Sequence, residues 1–433
     1  MYQAQLFSLV TQPKKFGIYK YIMNILYINH YAGNPYYGME FRPYYLAKEW
    51  LKHGHKTTIL ASSFSHVRSK QPDVKNKITE ENIDGINYIW YPTNKYEGNG
   101  FLRVINIFSF LLQVFLSNKK VINKIKPDVI IASSTYPLDI WVAKYLAKIH
   151  KAKLIYEIHD LWPLSPIELG GMSPKHPFMI LCQYAENSAY KYSDAVISML
   201  PKIHQYVIEH GLDINKLHIV PNGVVCSDWE NSNYNKIPDN IRSKINTLKS
   251  KGYTIVGYAG SHGIPNALSH LIEAADLLRE KPFHFILVGS GLEKNNILKY
   301  KNSLNLENIT FFEPITKKQM PDLLTLFDIS YIGANKTPIY RFGISPNKLM
   351  DYMMAENVIL SSIQAGNDPV ADAACGLTVE AESSKAIADG LIKLSEYSLE
   401  EKQQMGKNGR DYVLNNHNYS VLADKFLQVM KKL

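Results

Sequence analysis

Residues 24–62 read NILYINHYAGNPYYGMEFRPYYLAKEWLKHGHKTTILAS, and this stretch predicts the start of an α/β fold. It opens with a short apolar run typical of a buried strand. A loop with Gly33 and Gly38 follows, then a helix that ends at Gly54, where a glycine can close the last turn. KTTILAS forms the second strand. In such a β-α-β unit the first loop brings the backbone close to a ligand. The loop lacks the G-x-G-x-x-G pattern, which disfavours a dinucleotide site.

The same alternation of strands and helices continues through PDVIIASS, KLIYEIHD and DAVISML, and it starts again at TIVGYAG. Repeated alternation of this kind predicts two doubly wound Rossmann-like domains that face each other across a cleft. The polar stretch over residues 224–252 is interpreted as the linker. We predict a first domain over 23–225 and a second domain over 250–415. Residues 416–433 are predicted to form a helix that could cross back to the first domain.

The segment over residues 1–22 has no clear structural period, and Met23 directly precedes the first strand. We interpret this segment as an N-terminal extension and Met23 as the natural start. Whether the extension belongs to the natural protein is left open. It lacks the apolar core and cleavage site of a signal peptide.

The chain has 433 residues with a net charge of +9, and the whole excess lies in the first half. Up to Asn222 there are 25 Lys and Arg against 16 Asp and Glu. A basic half suggests an anionic partner such as a membrane surface, a phosphate-rich acceptor or nucleic acid, although simple solubility is an alternative. The three cysteines are far apart and suggest reduced packing residues of a cytosolic protein.

Residues 101–116 read FLRVINIFSFLLQVFL and are followed by the basic tail SNKKVINKIK. The apolar run is shorter than the roughly 20 residues that a spanning helix needs. A helix with a broad apolar side and a basic end can lie in a membrane interface. A core helix of a two-layer fold fits the pattern equally well, and both readings stay open.

The segment from Tyr340 to Ala355 combines a loop with the start of a helix. We predict Ser345 as its N-cap and Pro346 as its first residue. Free N–H groups at a helix start can bind an anion. A capped amphipathic helix without a ligand is the alternative.

Charged residues surround this helix start. Lys348 falls in the first turn and Asp351 about one turn later, with Arg341 just upstream. The two cations suit a diphosphate, and the carboxylate could accept a hydrogen bond from a sugar hydroxyl.

Two glycine-containing loops in the second half also follow strands, YAGSHG over 258–263 and VGSG over 288–291. A glycine loop between a strand and a helix lets backbone N–H groups reach a phosphate, and a second glycine loop allows a flat base to approach. Either loop alone is a weak signal. The predicted donor-binding residues in this region, with one from the turn after ITFF, are Gly260, Ser261, His262, Gly289, Gly291 and Ile315.

His159 and Asp160 come just after the strand KLIYEI, at the carboxyl end of a predicted parallel strand. Catalytic groups of open α/β sheets collect at this edge. A histidine in a strand is often structural, but one followed by Asp-Leu-Trp-Pro at the strand end favours function.

In order along the chain, the glycine loop, YEIHDLWP, VPNGV, YAGSHG, LVGSG, FFEPI and SPNKLMDYM together resemble a GT-B glycosyltransferase of family 4. The similarity covers nearly everything from Met23 to the end, and the chain also resembles the branch in bacterial O-antigen and capsule clusters often labelled N-acetyl-fucosamine transferases. The basic first half and the segment over 101–116 lead us to expect a lipid-linked saccharide acceptor at the inner face of the cell membrane. The resemblance implies a retaining enzyme that moves a sugar from a UDP-sugar, with the first domain on the acceptor side and the second domain binding the nucleotide sugar. It also implies that no metal cofactor and no nucleic acid take part.

The resemblance implies roles for single residues. Gly38 or a neighbouring residue would approach the donor diphosphate, His159 would lie beside the transferred sugar, and Asp351 would hold the ribose hydroxyls. We add Asn347 to the predicted donor site, and we expect three residues on the acceptor side, namely Arg42, Asp160 and Trp162.

Two departures from the family pattern stand out. Gly343 occupies the position of the first acid of the E-x7-E signature, eight residues before Asp351. The Arg and Lys that often follow the glycine loop of the second domain are also absent. We infer that Lys348, with Arg341, supplies the charge for the diphosphate, and we predict His159 and Lys348 as the catalytic residues.

Two other functions remain open at this stage. A UDP-sugar 2-epimerase has the same two-domain layout, but it needs carboxylates around the sugar for proton removal, and no convincing set is found. A nucleotide-sugar-binding subunit without catalysis is suggested only by Gly343.

Overall fold

The computed structural model of the protein describes residues 22–75, 77–98, 100–230 and 235–433. Nearly all of the predicted extension over 1–22 therefore lies outside the described residues.

The first domain is built on a sheet whose interior strands are continuous apolar runs buried on both faces. Its strands are β1 (Asn24–Ile28), β2 (Lys56–Ser62), β3 (Thr79–Ile83), β4 (Ile86–Tyr91), β5 (Val129–Ala132), β6 (Lys153–Ile158), β7 (Ala195–Ser198) and β8 (Leu217–Ile219). Its helices are α1 (Arg42–Lys52), α2 (Phe101–Leu116), α3 (Asn123–Ile125), α4 (Asp139–His150), α5 (Leu164–Glu168), α6 (Pro177–Tyr192) and α7 (His204–Glu209).

The strand order of this sheet is β3-β4-β2-β1-β5-β6-β7-β8. All neighbours are parallel except β3, which pairs antiparallel with β4 at the edge. The order reverses at β1 and β5, as in doubly wound sheets, so ligands are expected beyond the carboxyl ends of the central strands.

The second domain has a six-stranded, fully parallel sheet in the order β11-β10-β9-β12-β13-β14. Its strands are β9 (Thr254–Ala259), β10 (Phe283–Val288), β11 (Ile309–Phe312), β12 (Ile329–Gly333), β13 (Val358–Ser362) and β14 (Gly376–Thr378). The remaining helices are α8 (Asp239–Ser250), α9 (Leu268–Leu277), α10 (Lys294–Ser303), α11 (Met320–Leu324), α12 (Asn347–Met354), α13 (Pro369–Asp372), α14 (Ser384–Glu396), α15 (Leu399–Asn416) and α16 (Tyr419–Lys432).

The predicted fold class, two Rossmann-like domains of the GT-B kind, is confirmed. The polar stretch over 224–252 differs from the predicted linker because it contains α8. The apolar residues of α8, Ile241, Ile245 and Leu248, recur at helical spacing and are buried against the second sheet. The low density of apolar residues concealed this helix, since one narrow stripe is enough to bury it.

The C-terminal helix α16 packs on the first domain rather than on the second. Leu422 and Phe426 are fully buried in a core that also contains Trp50 of α1. The indole N–H of Trp50 donates to the carbonyl oxygen of Ala423 at 3.2 Å. The last helix therefore joins the domains a second time.

Candidate active site

A cavity of about 420 Å³ lies between the domains, at the carboxyl ends of both sheets. The first domain contributes residues that follow β6, β7 and β8, including His159, Asp160 and Asn222. The second contributes residues that follow β9, β12 and β13, and the start of α12. Five of the predicted site residues line this cavity, namely His159, Asp160, Ser345, Asn347 and Lys348.

Lys348 is the cation of this cavity. Its Nζ donates to Tyr258 Oη at 2.6 Å and to Asn266 Oδ1 at 3.0 Å, and it lies 4.1 Å from the centre of the Tyr258 ring. Both partners are neutral, and Lys348 forms no ion pair with any residue that the structure describes. Burial lowers the pKa of Lys348 to about 7. A buried ammonium group without a counter-ion favours an anionic ligand.

The start of α12 differs in detail from the prediction. Pro346 is the N-cap, Asn347 begins the helix, and no side chain caps the first turn. The predicted N-cap, Ser345, uses its Oγ to accept a hydrogen bond from the backbone N–H of Asn222 at 3.0 Å. Ser345 thus connects the two domains, and the first N–H groups of α12 stay open toward the cavity.

The glycines of the two loops make room for protein atoms. A Cβ on Gly260 would lie 2.7 Å from Cε of Lys348, so this glycine allows the lysine to cross the loop. A Cβ on Gly289 would lie 1.9 Å from the carbonyl oxygen of Gly260. A Cβ on Gly291 would lie 2.4 Å from the carbonyl oxygen of His262. The two loops are therefore packed backbone to backbone beside Lys348.

His262 is fully buried between these loops, and neither ring nitrogen has a hydrogen-bond partner among the residues that the structure describes. Its ring lies 5.8 Å from the Tyr258 ring and 5.9 Å from the Phe311 ring. Burial, followed by the charges of Lys294 and Lys348, lowers the pKa of His262 to about 4. It is a neutral imidazole with an unused hydrogen-bond donor and acceptor. Burying these groups without partners costs free energy, which a ligand would recover by forming hydrogen bonds with them.

His159 lies on the opposite wall and is held by buried polar groups. Its Nε2 is 2.8 Å from Ser133 Oγ and 3.4 Å from Glu157 Oε2. Ser133 Oγ in turn donates to Glu157 Oε2 at 2.7 Å. Burial alone would lower the pKa of His159, but the hydrogen bond and charge of Glu157 outweigh it and raise that pKa. Because Nε2 is engaged, Nδ1 is the nitrogen left for a ligand.

Arg42 was expected on the acceptor side, and the structure corrects this. Its side chain is completely buried, with Nε 2.9 Å from Glu157 Oε1. The other guanidinium nitrogens donate to the carbonyl oxygens of Pro221 and Val220 at 2.6 and 2.8 Å. Burial alone would raise the pKa of Glu157, but the charge of Arg42, the hydrogen bond and charge of His159 and the hydrogen bond of Tyr27 together hold that pKa well below its usual range. Arg42 therefore acts behind the site, where it fixes Glu157 and the end of the first domain.

Arg341 also departs from the prediction. Its guanidinium forms two hydrogen bonds of 2.8 Å with the carboxylate of Glu168 in the first domain. It lies on the outer side of the domain junction, where a bidentate carboxylate satisfies the charge. Arg341 thus connects the domains, and Lys348 is left as the nearby cation of α12.

The remaining predicted residues lie around the cavity rather than in it. Asp351 lies on α12 near Asp228 and Lys317, and burial raises its pKa to about 6. Ile315 packs on the core of the second domain and Trp162 on that of the first. Ser261 is exposed on the loop beside Lys348, where its carbonyl oxygen accepts from Tyr258 Oη at 2.6 Å.

Gly38 has φ of +104° and pairs with the loop at Arg68. A Cβ on Gly38 would meet Ser69 at 2.8 Å. The structure therefore explains this glycine by loop packing alone.

Comparison with known families accounts for this geometry. The first domain matches the family model Glycosyltransferase Family 4 over residues 36–228, and the second matches Glycosyl transferases group 1 over 239–412. The chain belongs to the GT-B glycosyltransferases. The WcaI protein of Escherichia coli K12, named as a colanic acid biosynthesis glycosyl transferase, is 24% identical over 254 residues. That alignment spans 57% of this chain and 61% of WcaI.

Solved structures resemble this glycosyltransferase over almost the whole chain. Sucrose-phosphate synthase of Thermosynechococcus elongatus has a TM-score of 0.71 at 16% identity and covers 94% of this chain and 98% of its own. HepE of Anabaena, in complex with UDP and glucose, has a TM-score of 0.64 at 16% identity and covers 95% of this chain and 100% of its own. At such identities the likeness establishes the fold.

The structure explains why this glycosyltransferase has Gly343 in place of the first family acid. Gly343 has φ of +94°, a conformation that L residues rarely adopt. A Cβ there would lie 2.6 Å from Pro201 of the first domain and 2.9 Å from Asn367. The position is a close contact between domains, and a glutamate does not fit it.

Three residues that shape the site were not predicted from the sequence, namely Glu157, Tyr258 and Asn266. Glu157 lies in β6 two residues before His159, which follows directly after that strand, and in extended backbone this spacing puts both side chains on one face. That spacing was a usable signal for Glu157. Tyr258 and Asn266, the partners of Lys348, had no comparable signal, because only the packing of the loop after β9 against α12 brings them together.

Proposed function

We propose that this protein transfers a sugar, an N-acetylated hexose or deoxyhexose, from a UDP-sugar to a lipid-linked saccharide with retention of configuration. The acceptor would be an intermediate of a bacterial surface polysaccharide such as O-antigen or capsule. The naming of WcaI for colanic acid biosynthesis supports the surface-polysaccharide context. The presence of UDP in the HepE complex supports the donor class.

One observation carries the proposal. Lys348 forms no ion pair with any described residue and lies at the open start of α12, in the cavity that His159 lines from the other domain. An ammonium group and a helix N-terminus together favour a diphosphate, and they stabilise it further as it leaves. A sugar attached to that diphosphate would lie between Lys348 and His159.

The proposed reaction needs no covalent intermediate. The bond between the anomeric carbon and the diphosphate oxygen breaks, and the acceptor oxygen forms a bond with the same carbon on the same face. The acceptor proton passes to the departing diphosphate oxygen, so UDP is released with the charge balanced. His159 would hold a sugar hydroxyl through Nδ1, while Lys348 stabilises the leaving diphosphate.

The donor nucleotide has a fitting environment next to Lys348. His262 offers an unused ring donor and acceptor within the packed glycine loops, which suits the edge of a base. Asp351 is one turn of α12 away from Lys348 and would accept from the ribose hydroxyls. Ser261, Ile315 and Asn347 complete the proposed donor site.

A lipid-linked acceptor implies contact with a membrane, and we propose the face formed by α2, α4 and α6. Seven large apolar side chains of α2 are exposed, from Phe101 at 76% to Ile105 at 40%. Phe115 of α2 touches Tyr145 of α4, with ring centres 4.6 Å apart. The membrane face would lie at the inner side of the cell membrane.

No single helix among the described residues is long and apolar enough to cross a membrane. The required length and apolar character are reached only by two helical segments taken together, Phe101–Leu116 and Asn118–Ile125, and these are bent by 52° relative to each other.

The deciding experiment is mass spectrometry of the purified protein with a panel of UDP-sugars and a short lipid-diphosphate saccharide. We expect the acceptor to gain one sugar, with or without EDTA, and Lys348→Met and His159→Ala to lose most of the product. The anomeric configuration of the product, read by NMR, would show retention or inversion. Transfer from another nucleotide class, or none from any, would refute the proposed donor.

The same experiment covers the two alternatives. An epimerase would convert the UDP-sugar without acceptor, and a binding subunit would bind UDP without any turnover.

A further inference from the structure

We propose that the first domain binds a small monovalent anion, of the size of chloride, between the loops that follow β1 and β2. Arg68 supplies the positive charge of this site, and Asn34 supplies a second hydrogen-bond donor. Neither residue lines the cavity between the domains, so the site is separate from the proposed sugar transfer. The burial of Arg68, the unused donors of both side chains and the pairing of the two loops carry the inference.

Arg68 is a buried cation. It is only 5% exposed, and its guanidinium lies over the Trp90 ring, 5.1 Å from the ring centre. One nitrogen, Nη2, donates to the carbonyl oxygen of Ser62 at 2.5 Å. Nε and Nη1 are buried and have no hydrogen-bond partner among the residues that the structure describes. Because buried donors are nearly always paired, these two nitrogens indicate a partner that is not a protein group.

The charge of Arg68 is also unbalanced within the described part of the chain. Glu81 is the carboxylate of this region, and it accepts from the indole N–H of Trp90 at 2.7 Å and from Tyr37 Oη at 3.0 Å. Glu81 thus lies at the edge of the indole, whereas Arg68 lies over its face. Burial lowers the pKa of Arg68 to about 9, so the guanidinium still carries its charge at neutral pH. A buried cation without a counter-ion favours the binding of an anion.

Asn34 contributes a second unused donor. Asn34 is fully buried, and its Oδ1 accepts from the backbone N–H groups of Tyr36 and Tyr37 at 2.9 and 3.0 Å. These two bonds identify the other end of the amide as Nδ2, which has no partner among the described residues. Burial raises the pKa of Tyr88 well above its usual range, and the amide of Asn34 and the charge of Arg68 both oppose this rise. Asn34 and Arg68 therefore lie near the same phenol.

The backbone brings these two side chains together. Gly38 forms an antiparallel bridge with Asn34 on one side and with Arg68 on the other. The N–H of Lys70 donates to the carbonyl oxygen of Tyr37 at 3.0 Å and extends this pairing. Two strand spacings, about 10 Å, separate the outer backbones, a distance that an arginine and an asparagine bridge through one ion. The anion accepts from both side chains and joins the loop after β1 to the loop after β2.

The burial of the donors sets the size of the anion. All three unused nitrogens are shielded from solvent, which excludes a sugar phosphate or a lipid head group. A halide carries one charge, equal to that of one guanidinium, and accepts hydrogen bonds from several directions. A buried water would also accept hydrogen bonds but would leave the charge of Arg68 unbalanced.

The test compares thermal unfolding in sodium chloride and in sodium gluconate at the same concentration, since gluconate is too large for the site. We expect chloride to raise the Tm of the wild type by about 2–5 °C, as for a ligand at roughly ten times its Kd. Arg68→Met removes the charge and should abolish this shift. Arg279→Gln removes an exposed guanidinium that pairs with Asp276 and should retain the shift.

Asn34→Asp is a second variant that decides the question if Arg68→Met does not fold. It keeps the oxygen that accepts from Tyr36 and Tyr37 and replaces Nδ2 by a charged oxygen. This internal carboxylate balances Arg68, so the Tm of Asn34→Asp should not depend on chloride. Crystals grown in sodium bromide provide a direct readout, because the anomalous scattering of bromide should give a peak beside Arg68.

The outcomes that would overturn the site are distinct. Equal Tm values of the wild type in the two salts, with no bromide peak, would leave a buried water at Arg68. A bromide peak without a chloride shift would mean binding at crystal concentration only. A chloride shift that persists in Arg68→Met or in Asn34→Asp would place the anion elsewhere. None of these measurements involves sugar transfer, so they succeed or fail independently of the proposed function.

Discussion

At the scale of single residues, the site depends on groups whose charge or conformation is unusual for their surroundings. Lys348 is a buried cation with neutral partners, and Gly343 has a positive φ at a contact between domains. Each can be tested by one substitution.

The lowered pKa of Lys348 predicts that the protein takes up a proton when it binds a nucleotide. With a pKa of about 7, roughly nine-tenths of Lys348 is neutral at pH 8 in the free protein. A bound diphosphate favours the charged form, so UDP binding should take up close to one proton at pH 8 and almost none at pH 6. Affinity should fall as the pH rises above 7. Calorimetry in buffers of different ionisation enthalpy measures the uptake.

The variants of Lys348 provide the control. Lys348→Met should lose the uptake and weaken UDP binding, whereas Lys348→Arg stays charged and should bind without uptake. Full uptake in Lys348→Met would assign the proton to another group.

Gly343 predicts a loss of stability that has two separable causes. Gly343→Ala should lower the free energy of unfolding by about 1–2 kcal/mol because of the left-handed backbone, and by an additional amount because of the contact with Pro201. Gly54→Ala is the matched control, because Gly54 has φ of +87° and nothing within 4 Å of an added Cβ. Urea unfolding measures the loss of unfolding free energy in both variants, and the difference between the two losses gives the contribution of the contact with Pro201. Equal losses would show that Pro201 moves away freely.

At the scale of elements, strand β6 ends next to His159, which lines the cavity from the first domain. Helix α1 supports this strand through Arg42, which contacts Glu157 of β6. Glu157 accepts from Arg42 of α1 and from Tyr27 of β1, and it contacts His159, which follows β6. The carboxylate joins three elements in a fully buried position.

Glu157→Gln should therefore destabilise the protein strongly. Removing one partner of a buried ion pair leaves Arg42 uncompensated, which costs about 3–5 kcal/mol. The pKa of His159 should fall as well, since Glu157 raises it. Chemical denaturation and NMR titration of His159 check the two effects.

Glu49→Gln serves as control. Glu49 pairs with the exposed Lys52, and such pairs contribute less than about 1 kcal/mol. If Glu157→Gln were as stable as Glu49→Gln, the buried pair of Glu157 and Arg42 would contribute no more to stability than an exposed pair.

At the scale of the whole molecule, an ion pair and hydrogen bonds between the domains hold them together. Arg341 pairs with Glu168, Ser345 bonds the backbone of Asn222, and the N–H of Lys202 donates to Phe342 at 2.9 Å. α16 adds a second connection. The width of the cleft depends on these contacts.

The ion pair between Arg341 and Glu168 predicts that reversing one of its charges opens the cleft between the domains and that reversing both closes it again. Glu168→Arg and Arg341→Glu each place like charges at the junction and should raise the radius of gyration measured by small-angle X-ray scattering. The double reversal restores attraction and should restore the wild-type value. Failure of the double variant to recover would mean that the pair does not control domain closure.

The proposed membrane face predicts specific binding to lipid vesicles. Phe108→Glu with Leu112→Glu should reduce co-sedimentation with phosphatidylglycerol vesicles by more than about tenfold, since each side chain contributes about 1–2 kcal/mol of apolar transfer. Leu399→Glu alters an equally exposed leucine of α15 and should have no effect. Equal binding of all variants would exclude this face.

The sequence by itself determined the fold class and the position of most strands, because a parallel strand buried on both faces is a continuous apolar run. It also placed His159 and Lys348 at element ends, where ligands of α/β sheets bind. The tertiary structure decided which charges are available. Arg42 and Arg341 both look suitable in sequence, yet Glu157 and Glu168 neutralise them from more than a hundred residues away. Lys348 meets only neutral partners, and that difference depends on packing between distant elements, which a local pattern does not encode.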